Sequence, residues 1–495
     1  MPFRFSRVAA LLIGIGSIAY YAWEVWVART KRLWLDEIVT VYVARLPDAA
    51  TVWRALAQGA DGSPPGYYAI VRLARAMIAD EPLAVRMPSI AAFWIFCLAL
   101  GVYVGRRCGA AYAGVAMLLP LATGAAPYAT DARPYGLILA GCGLALAGWQ
   151  AAAGAGRRWA GLIVLVLGLA LGVASHYYGV LLVVPLAAGE LVRTARRQRI
   201  DLPVWLGFVV GLAPIVPSRP LMAGLQAMYR GGFFGKPEVL SVSRSYALLL
   251  ERVMPIAAIA LPALVWWLRR PPERDRTEAF EAMPDHELIA AATLAAFPFP
   301  VLLLALVATG AYLDRYVLPT VAGFAILIPV AVHRITRGRR GPGEFLCVLT
   351  LLGAVAAQYG DWSDDTERFL PPNQLLNPLR LAQPPSTPIV VSNADMYLQL
   401  TYYAPRALTA RLLYLEDLRA RPNTAEQILI RLRHFAPLRV APFRQQLAEW
   451  PPGQVIYLYG RSNDWLADIM PMMSQTMEVR YLDLRWMVSR VTLKG

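Results

Sequence analysis

The sequence predicts a polytopic α-helical membrane protein that ends in a soluble α/β domain, and three observations predict it. Of its 495 residues, 57% are hydrophobic and 16% charged, a composition far from that of an ordinary soluble domain. Apolar runs long enough to cross a bilayer as helices recur between residues 8 and 358, roughly eleven of them. After about residue 359 the runs stop, and PPNQ, QPPSTP, RPNT and WPPG punctuate shorter elements.

The runs fall at approximately 8–28, 86–105, 110–128, 135–152, 159–174, 177–192, 203–219, 247–268, 288–309, 315–333 and 343–358. The first follows PFRFSR like the apolar core of a secretory leader, yet it is long, contains Trp23, Glu24 and Trp26, and has no A-x-A site. It is therefore expected to be kept as a helix. Arg4 and Arg7, Arg106 and Arg107, Arg157 and Arg158, Arg193 to Arg199, Arg269 to Arg276 and Arg334 to Arg340 mark alternate connections, which places those on the cytoplasmic side and the N-terminus inside. The outer connections are then 29–85, 129–134, 175–177, 220–246, 310–314 and the tail, so the C-terminus is outside. Much of the +15 net charge is topogenic arginine without a stripe of stacking aromatics, which excludes a nucleic-acid partner. Cys97, Cys142 and Cys347 lie in membrane runs and Cys108 in a short inner loop, so neither a disulfide framework nor a C-x-x-C metal spacing is present.

Residues 1–358 form the predicted membrane domain. Its first outer segment, 29–85, carries amphipathic stretches at TVWRALAQ (51–58) and YYAIVRLARAMI (67–78), expected to lie at the interface because the second is too short to span. A crossing at 66–80 would instead put every later arginine-rich loop outside. The loop 220–246, aromatic and glycine-rich, reads as an outer lid or as a plain surface loop. In the domain 359–495, TPIVVS (387–392) and QVIYLYG (454–460) read as buried strands, and TAEQILIRLRHF (424–435) and NDWLADIMPMM (463–473) as helices. EVRYLDL and RWMVSRVTL complete it as terminal strands. The alternation predicts a small α/β layer domain, and without a glycine-rich phosphate loop no nucleotide is expected.

The carboxylates Asp36 and Glu37 follow the first run within LWLDEIVTVYVARLP. They read either as helix caps or partners of Arg45, or as a desolvated base. ATDARPYG places Asp131 and Arg133 on the second outer turn, ASHYYG places His176 and Tyr177 on the third, and AYLDRYVLP places Asp314 and Arg315 on another. Singly these are lipid anchors, caps or interfacial donors. Together, beside helices nearly devoid of charge, they outline an anionic-ligand site with a base.

WLDE, SPPGYY, RMPS, ARPY, HYYG and DRYVLP, in this order over residues 33–319, resemble the motifs of the C-type membrane glycosyltransferases, specifically bacterial relatives of the protein O-mannosyltransferases and of the lipid A aminoarabinose transferase. The resemblance implies a plasma-membrane enzyme, active on the periplasmic face, that moves a sugar from a polyprenyl-phosphate donor to a hydroxyl of an extracytoplasmic lipid, glycan or protein. It makes Asp36 the general base and Glu37 its support. In related enzymes a divalent cation or basic side chains hold the lipid phosphate, and Asp131 and His176 occupy positions where a metal ligand could arise. Relatives usually have His before the Pro-Pro pair where this chain has Ser63, with Asp61 nearby, which puts a metal role for that loop in doubt.

The chemistry suits an exported face without nucleotide sugars. Phosphate leaves an anomeric carbon without a general acid, so one carboxylate base suffices, with inversion, where a glycoside hydrolase needs two carboxyls. Arg133, Arg315, Lys236 and Tyr177 are the groups available for the phosphate, and the prenyl chain would lie in an apolar groove among membrane lipids. The alternative is a transporter or flippase of a lipid-linked glycan, which would need charged or broken helices near mid-bilayer.

Overall fold

A computed structural model describes residues 7–154, 156, 158–229, 235–270, 283–416, 424–461, 463–482 and 486–494. The expectations for Arg4, Arg157, Arg274, Arg276, residues 230–234 and residues 421–423 lie outside the described residues. Two compact units emerge, one from Met1–Ala28 with Ser63–Asp365 and one from Arg29–Gly62 with Thr366–Gly495. Packing thus divides the chain differently from composition, because residues 29–62 of the first outer segment belong with the C-terminal part.

Helix α1 (Arg7–Thr30) opens the first unit, while α2 (Leu35–Ala44) and α3 (Ala49–Ala57) belong to the second. The first unit resumes with α4 (Pro65–Met77), α5 (Glu81–Cys108), α6 (Ala110–Leu118), α7 (Tyr135–Ala153), α8 (Arg158–Ser175) and α9 (Val183–Arg197). It continues through α10 (Leu202–Gly211), α11 (Arg219–Tyr229), α12 (Val239–Leu250), α13 (Met254–Arg269), α14 (Asp285–Ala295), α15 (Pro298–Leu304), α16 (Thr320–Ile335) and α17 (Arg340–Asp364).

All eleven predicted runs fall on these helices, but they are not equally long. Among the described residues seven helices are long and apolar enough to cross a membrane, or up to nine if each of two bent pairs is one span. The bends are 58° between Leu202–Ile215 and Arg219–Gln226, and 57° between Asp285–Ala295 and Pro298–Thr309. The two remaining runs are shorter apolar helices, Ala110–Ala122 and Thr320–Ile335. Gly109 (φ 82°) separates the former from α5, and Pro120 tightens its end into a 3₁₀ turn, which is why it falls short of the predicted 110–128. Helix α4 has 13 residues and is not among the spanning candidates. Its exposed Leu73 and Met77 lie opposite buried Tyr67, Tyr68 and Val71.

The loop expected at 220–246 is mostly helix, with α11 running to Tyr229 and α12 starting at Val239. Amphipathic spacing in RPLMAGLQAMY and helix formers in SYALLL carry helix into both ends of the stretch. At Gly235, the backbone carbonyl accepts the Tyr312 amide at 2.8 Å.

Small residues let α7 and α8 pack backbone to backbone. A Cβ on Gly141 would lie 2.6 Å from the Gly168 carbonyl oxygen, and one on Gly148 2.5 Å from the Leu165 nitrogen. Such close approach drives helix association where lipid removes the hydrophobic incentive. Beside the C-terminal end of α7, charged side chains from α5 (Arg107), α9 (Glu190 and Arg193) and α14 (Glu287) are paired in a largely buried cluster. Glu287 accepts from Arg107 at 2.6 Å and from Gln150 at 2.9 Å, while Glu190 accepts from Trp149 at 2.8 Å and Arg193 at 2.8 Å. Arginines read as topogenic therefore also pin the helix ends.

The second unit continues with α18 (Thr366–Phe369), α19 (Pro372–Leu376), α20 (Ala394–Tyr403), α21 (Arg406–Thr409), α22 (Thr424–Leu432), α23 (Phe443–Glu449) and α24 (Trp465–Met473). Its strands are β1 (Ile389–Val391), β2 (Leu412–Glu416), β3 (Val440–Pro442), β4 (Val455–Arg461), β5 (Ser474–Tyr481) and β6 (Trp486–Leu493). The sheet order is β3-β2-β1-β4-β6-β5. The first four strands are parallel, and β6 runs antiparallel to β4 and β5. Val390, Leu413, Leu415, Ile456, Leu458 and Val491 fill its core. The order reverses between β1 and β4, and in open α/β sheets a crevice forms outside the carboxyl ends of the strands at such a point.

Candidate active site

In the first unit the α7–α8 hairpin fixes two of the motif turns, because ARPY enters α7 and HYYG leaves α8 at the same end. Ser89 of RMPS donates to the Arg133 carbonyl at 2.8 Å, and a Cβ on Gly136 would come within 2.7 Å of the Ser89 carbonyl oxygen. SPPG docks beside HYYG in the same manner, with a Cβ on Gly66 only 2.6 Å from the Ala174 carbonyl oxygen. Replacing Gly136 by Ala should therefore wedge α7 from α5 and cost about 1–3 kcal/mol of stability. Thermal unfolding in detergent reads this, and an unchanged midpoint would contradict it.

The turns deliver a cluster of rings and charges. Tyr135 lies 5.7 Å from His176 and 5.3 Å from Tyr128, measured between ring centroids, and Tyr316 of DRYV lies 5.1 Å from His176 and stacks on Tyr178 at 4.6 Å. The Arg315 guanidinium is 5.7 Å from the Tyr135 ring centroid, within cation–π reach. Burial, and after it the Asp131 charge, pushes the Tyr128 phenol up. Arg133 is buried, Asp131, Tyr177 and Arg315 are half-buried, and Lys236 is exposed. Lys236 follows Gly235, whose carbonyl is bonded to the Tyr312 amide, so its backbone joins the DRYV turn.

Asp314 is committed locally. Ser245 donates to it at 2.7 Å, and Tyr312, 3.0 Å from Ser245, completes the chain as donor. Burial holds the Tyr312 phenol up at about 12, so it remains a neutral donor at physiological pH.

His176 has a defined tautomer. Its Nδ1 accepts the Tyr178 backbone N–H at 3.2 Å, so in the neutral ring Nε2 carries the proton. That makes His176 a donor toward an anion more readily than a metal ligand. Among the described residues no group of three or more His, Cys, Asp and Glu side chains is placed to hold a metal ion.

In the second unit Asp36 and Glu37 occupy the first turn of α2, where the helix dipole favours carboxylates. Their environments separate them. Glu37 is fully buried, accepts the Trp34 N–H at 3.2 Å and pairs with Arg368 at 3.1 Å, so it caps and anchors the helix. Arg45, the alternative partner read from sequence, lies against the Tyr42 and Tyr402 rings. Asp36 is half-buried.

Helix α20 packs on α2, with the Leu33 N–H donating to the Tyr403 hydroxyl at 2.6 Å. At its first turn Asp395 is pushed up by burial and, beyond the opposing hydrogen bond from Gln399, by the charge of Asp36, against Arg461 and Arg368. Beside it, Ser392 at the end of β1 donates to Asp464 at 2.5 Å, at the β1/β4 switch point. A carboxyl raised on folding is protonated more readily in the folded state, so ionising it costs stability as pH climbs from its ordinary 3.8 through the raised value. Asp395→Asn should consequently raise the thermal midpoint at pH 7 and leave it unchanged below pH 3.8. A variant no more stable at pH 7 would contradict this.

Sequence reasoning found the charged members of the first group, and Asp36 and Glu37 of the second, but missed Tyr128, Tyr135, Tyr178 and Tyr316, although the ARPY, HYYG and DRYV motifs each carried a tyrosine beside the charge. Asp395 left no local signal, since its neighbour Asp36 lies far away in the chain.

No family model matches the sequence, and no curated protein does. Solved structures do match. The apo structure of ArnT from Cupriavidus metallidurans superposes with a TM-score of 0.62 at 13% identity, covering 97% of this chain and 98% of that one. The structure of the same protein bound to undecaprenyl phosphate gives 0.58 at 14% identity, covering 97% of both chains. ArnT is a lipid A aminoarabinose transferase of the GT-C fold. Over nearly its whole length this chain therefore has the fold of ArnT.

Proposed function

We propose that the chain is a polyprenyl-phosphate-dependent glycosyltransferase of the bacterial plasma membrane, working on the periplasmic face with its N-terminus inside and its C-terminus outside. The observation that carries this reading is the gathering of Arg133, Tyr135, His176, Arg315 and Tyr316 from three separate turns, on a fold shared with a protein whose solved structure holds undecaprenyl phosphate.

In this reading Asp36 takes the proton of an acceptor hydroxyl, whose oxygen attacks the anomeric carbon from the face opposite the phosphate. The bond to the phosphate oxygen breaks, the anomer inverts, and polyprenyl phosphate leaves with the bonding electrons. The phosphodiester monoanion becomes a monoester with a second negative charge, and that extra charge is what Arg133 and Arg315 stabilise, with Lys236, Tyr177 and His176 Nε2–H as further donors. Glu37, tied to Arg368, holds the first turn of α2 rigid. The acceptor is an extracytoplasmic lipid, glycan or protein hydroxyl.

Mass spectrometry of envelope glycolipids and proteins with and without the gene tests the reading, followed by reconstitution with defined polyprenyl-phosphate sugars. A modification that disappears with the gene and returns in vitro is expected. An unchanged envelope and no transfer from any polyprenyl-phosphate sugar would overturn it.

A further inference from the structure

A groove between α6, α13, α16 and α17 lies apart from the candidate site. It encloses about 190 Å³ and is lined by apolar side chains, among them Leu119, Ile256, Leu264, Trp267, Val332 and Phe345. Its one lining hydroxyl, on Thr350, is spent on the Leu346 carbonyl at 2.7 Å within α17. A cavity with no polar partners does not hold water, and exposed Leu261 and Phe345 at its rim open it to hydrocarbon. The Trp267 ring fits at one end only because Gly341 has no side chain, since a Cβ there would lie 2.5 Å from that ring.

That end is basic. Arg269 and Arg270 follow Trp267 and are exposed, as is Arg337 after α16. Arg339 donates to the carbonyls of Trp267 at 2.7 Å and Arg270 at 3.1 Å, which satisfies the open C-terminus of α13 and gathers the arginines around the mouth. The groove residues Ile328 and Val332 lie 13 or more positions past Arg315, about 20 Å along a helix. A phosphate held at this end is thus a different phosphate from the donor's.

We propose that this groove binds one acyl chain of an anionic membrane phospholipid, whose headgroup phosphate sits among Arg269, Arg270 and Arg337. Apolar slot and cationic mouth together select for a chain carrying a negative head, the pairing by which basic pockets between membrane helices hold anionic lipids. The site is independent of the proposed transfer reaction.

Native mass spectrometry of the full chain in mild detergent tests it, with added phosphatidylglycerol, phosphatidylcholine or undecaprenyl phosphate. A one-to-one phosphatidylglycerol adduct that phosphatidylcholine does not form is expected. Arg269→Ala with Arg270→Ala should weaken it roughly 25-fold, about fivefold per arginine, and Ala257→Phe should exclude it by filling the slot. Equal retention of phosphatidylcholine, undiminished binding by the folded arginine variant, or a groove adduct formed by undecaprenyl phosphate alone would each overturn the proposal.

Discussion

Asp36→Asn is expected to lower kcat for sugar transfer by about 10²–10⁴, the usual contribution of a positioned general base, while the protein still inserts and folds. The amide keeps the shape of the carboxylate and the first-turn position on α2 but cannot accept the proton. Glu37 already caps the helix through the Trp34 N–H, and losing the charge at 36 relieves Asp395, so the variant is expected to fold and to be no less stable than the parent. Glu37→Gln should behave oppositely, loosening the Arg368 contact and lowering stability before it lowers chemistry. Steady-state kinetics with thermal unfolding of both variants separates the two roles. Full transfer by a folded Asp36→Asn protein would refute the base assignment.

Arg315→Ala is expected to cost about 10²–10³ in kcat, the range for removing one preorganised donor from a developing oxyanion, together with a raised donor KM. Arg315→Lys should recover only part, because an ammonium cannot present the planar fork that a phosphate engages twice. The guanidinium rests within cation–π distance of Tyr135, so its loss should leave the ring cluster of His176, Tyr178 and Tyr316 in place. Unchanged donor KM and kcat would remove Arg315 from the site.

Much of the membrane part was legible because hydrocarbon imposes a simple rule: long apolar runs become helices. Where the runs broke, at the 58° and 57° bends, hydropathy saw one segment and the backbone made two, because a proline or glycine changes direction without changing polarity. The stretch 220–246 misled for the converse reason, since glycines and aromatics read as loop while their neighbours had enough helical propensity for α11 and α12. In the C-terminal unit the strands β1, β4 and β6 stood out by apolar content, whereas β5 begins at Ser474, four residues before the EVRYLDL stretch. Short β3 and the parallel pairing of β2 did not stand out, because parallel partners are distant in sequence. The same limit hid Asp395, whose relation to Asp36 exists only once α20 packs on α2. Ring contacts among Tyr135, His176 and Tyr316 likewise required three turns to meet, although the motifs already named each turn.

The central claim is direct displacement of polyprenyl phosphate by an acceptor hydroxyl with Asp36 as base. The most direct measurement is NMR of the anomeric configuration of product made by the purified chain in proteoliposomes from a synthetic undecaprenyl-phosphate sugar of known anomer. The account predicts a single product of opposite configuration, formed by the parent protein and not by Asp36→Asn. Retention of configuration, or equal product from both proteins, would contradict it.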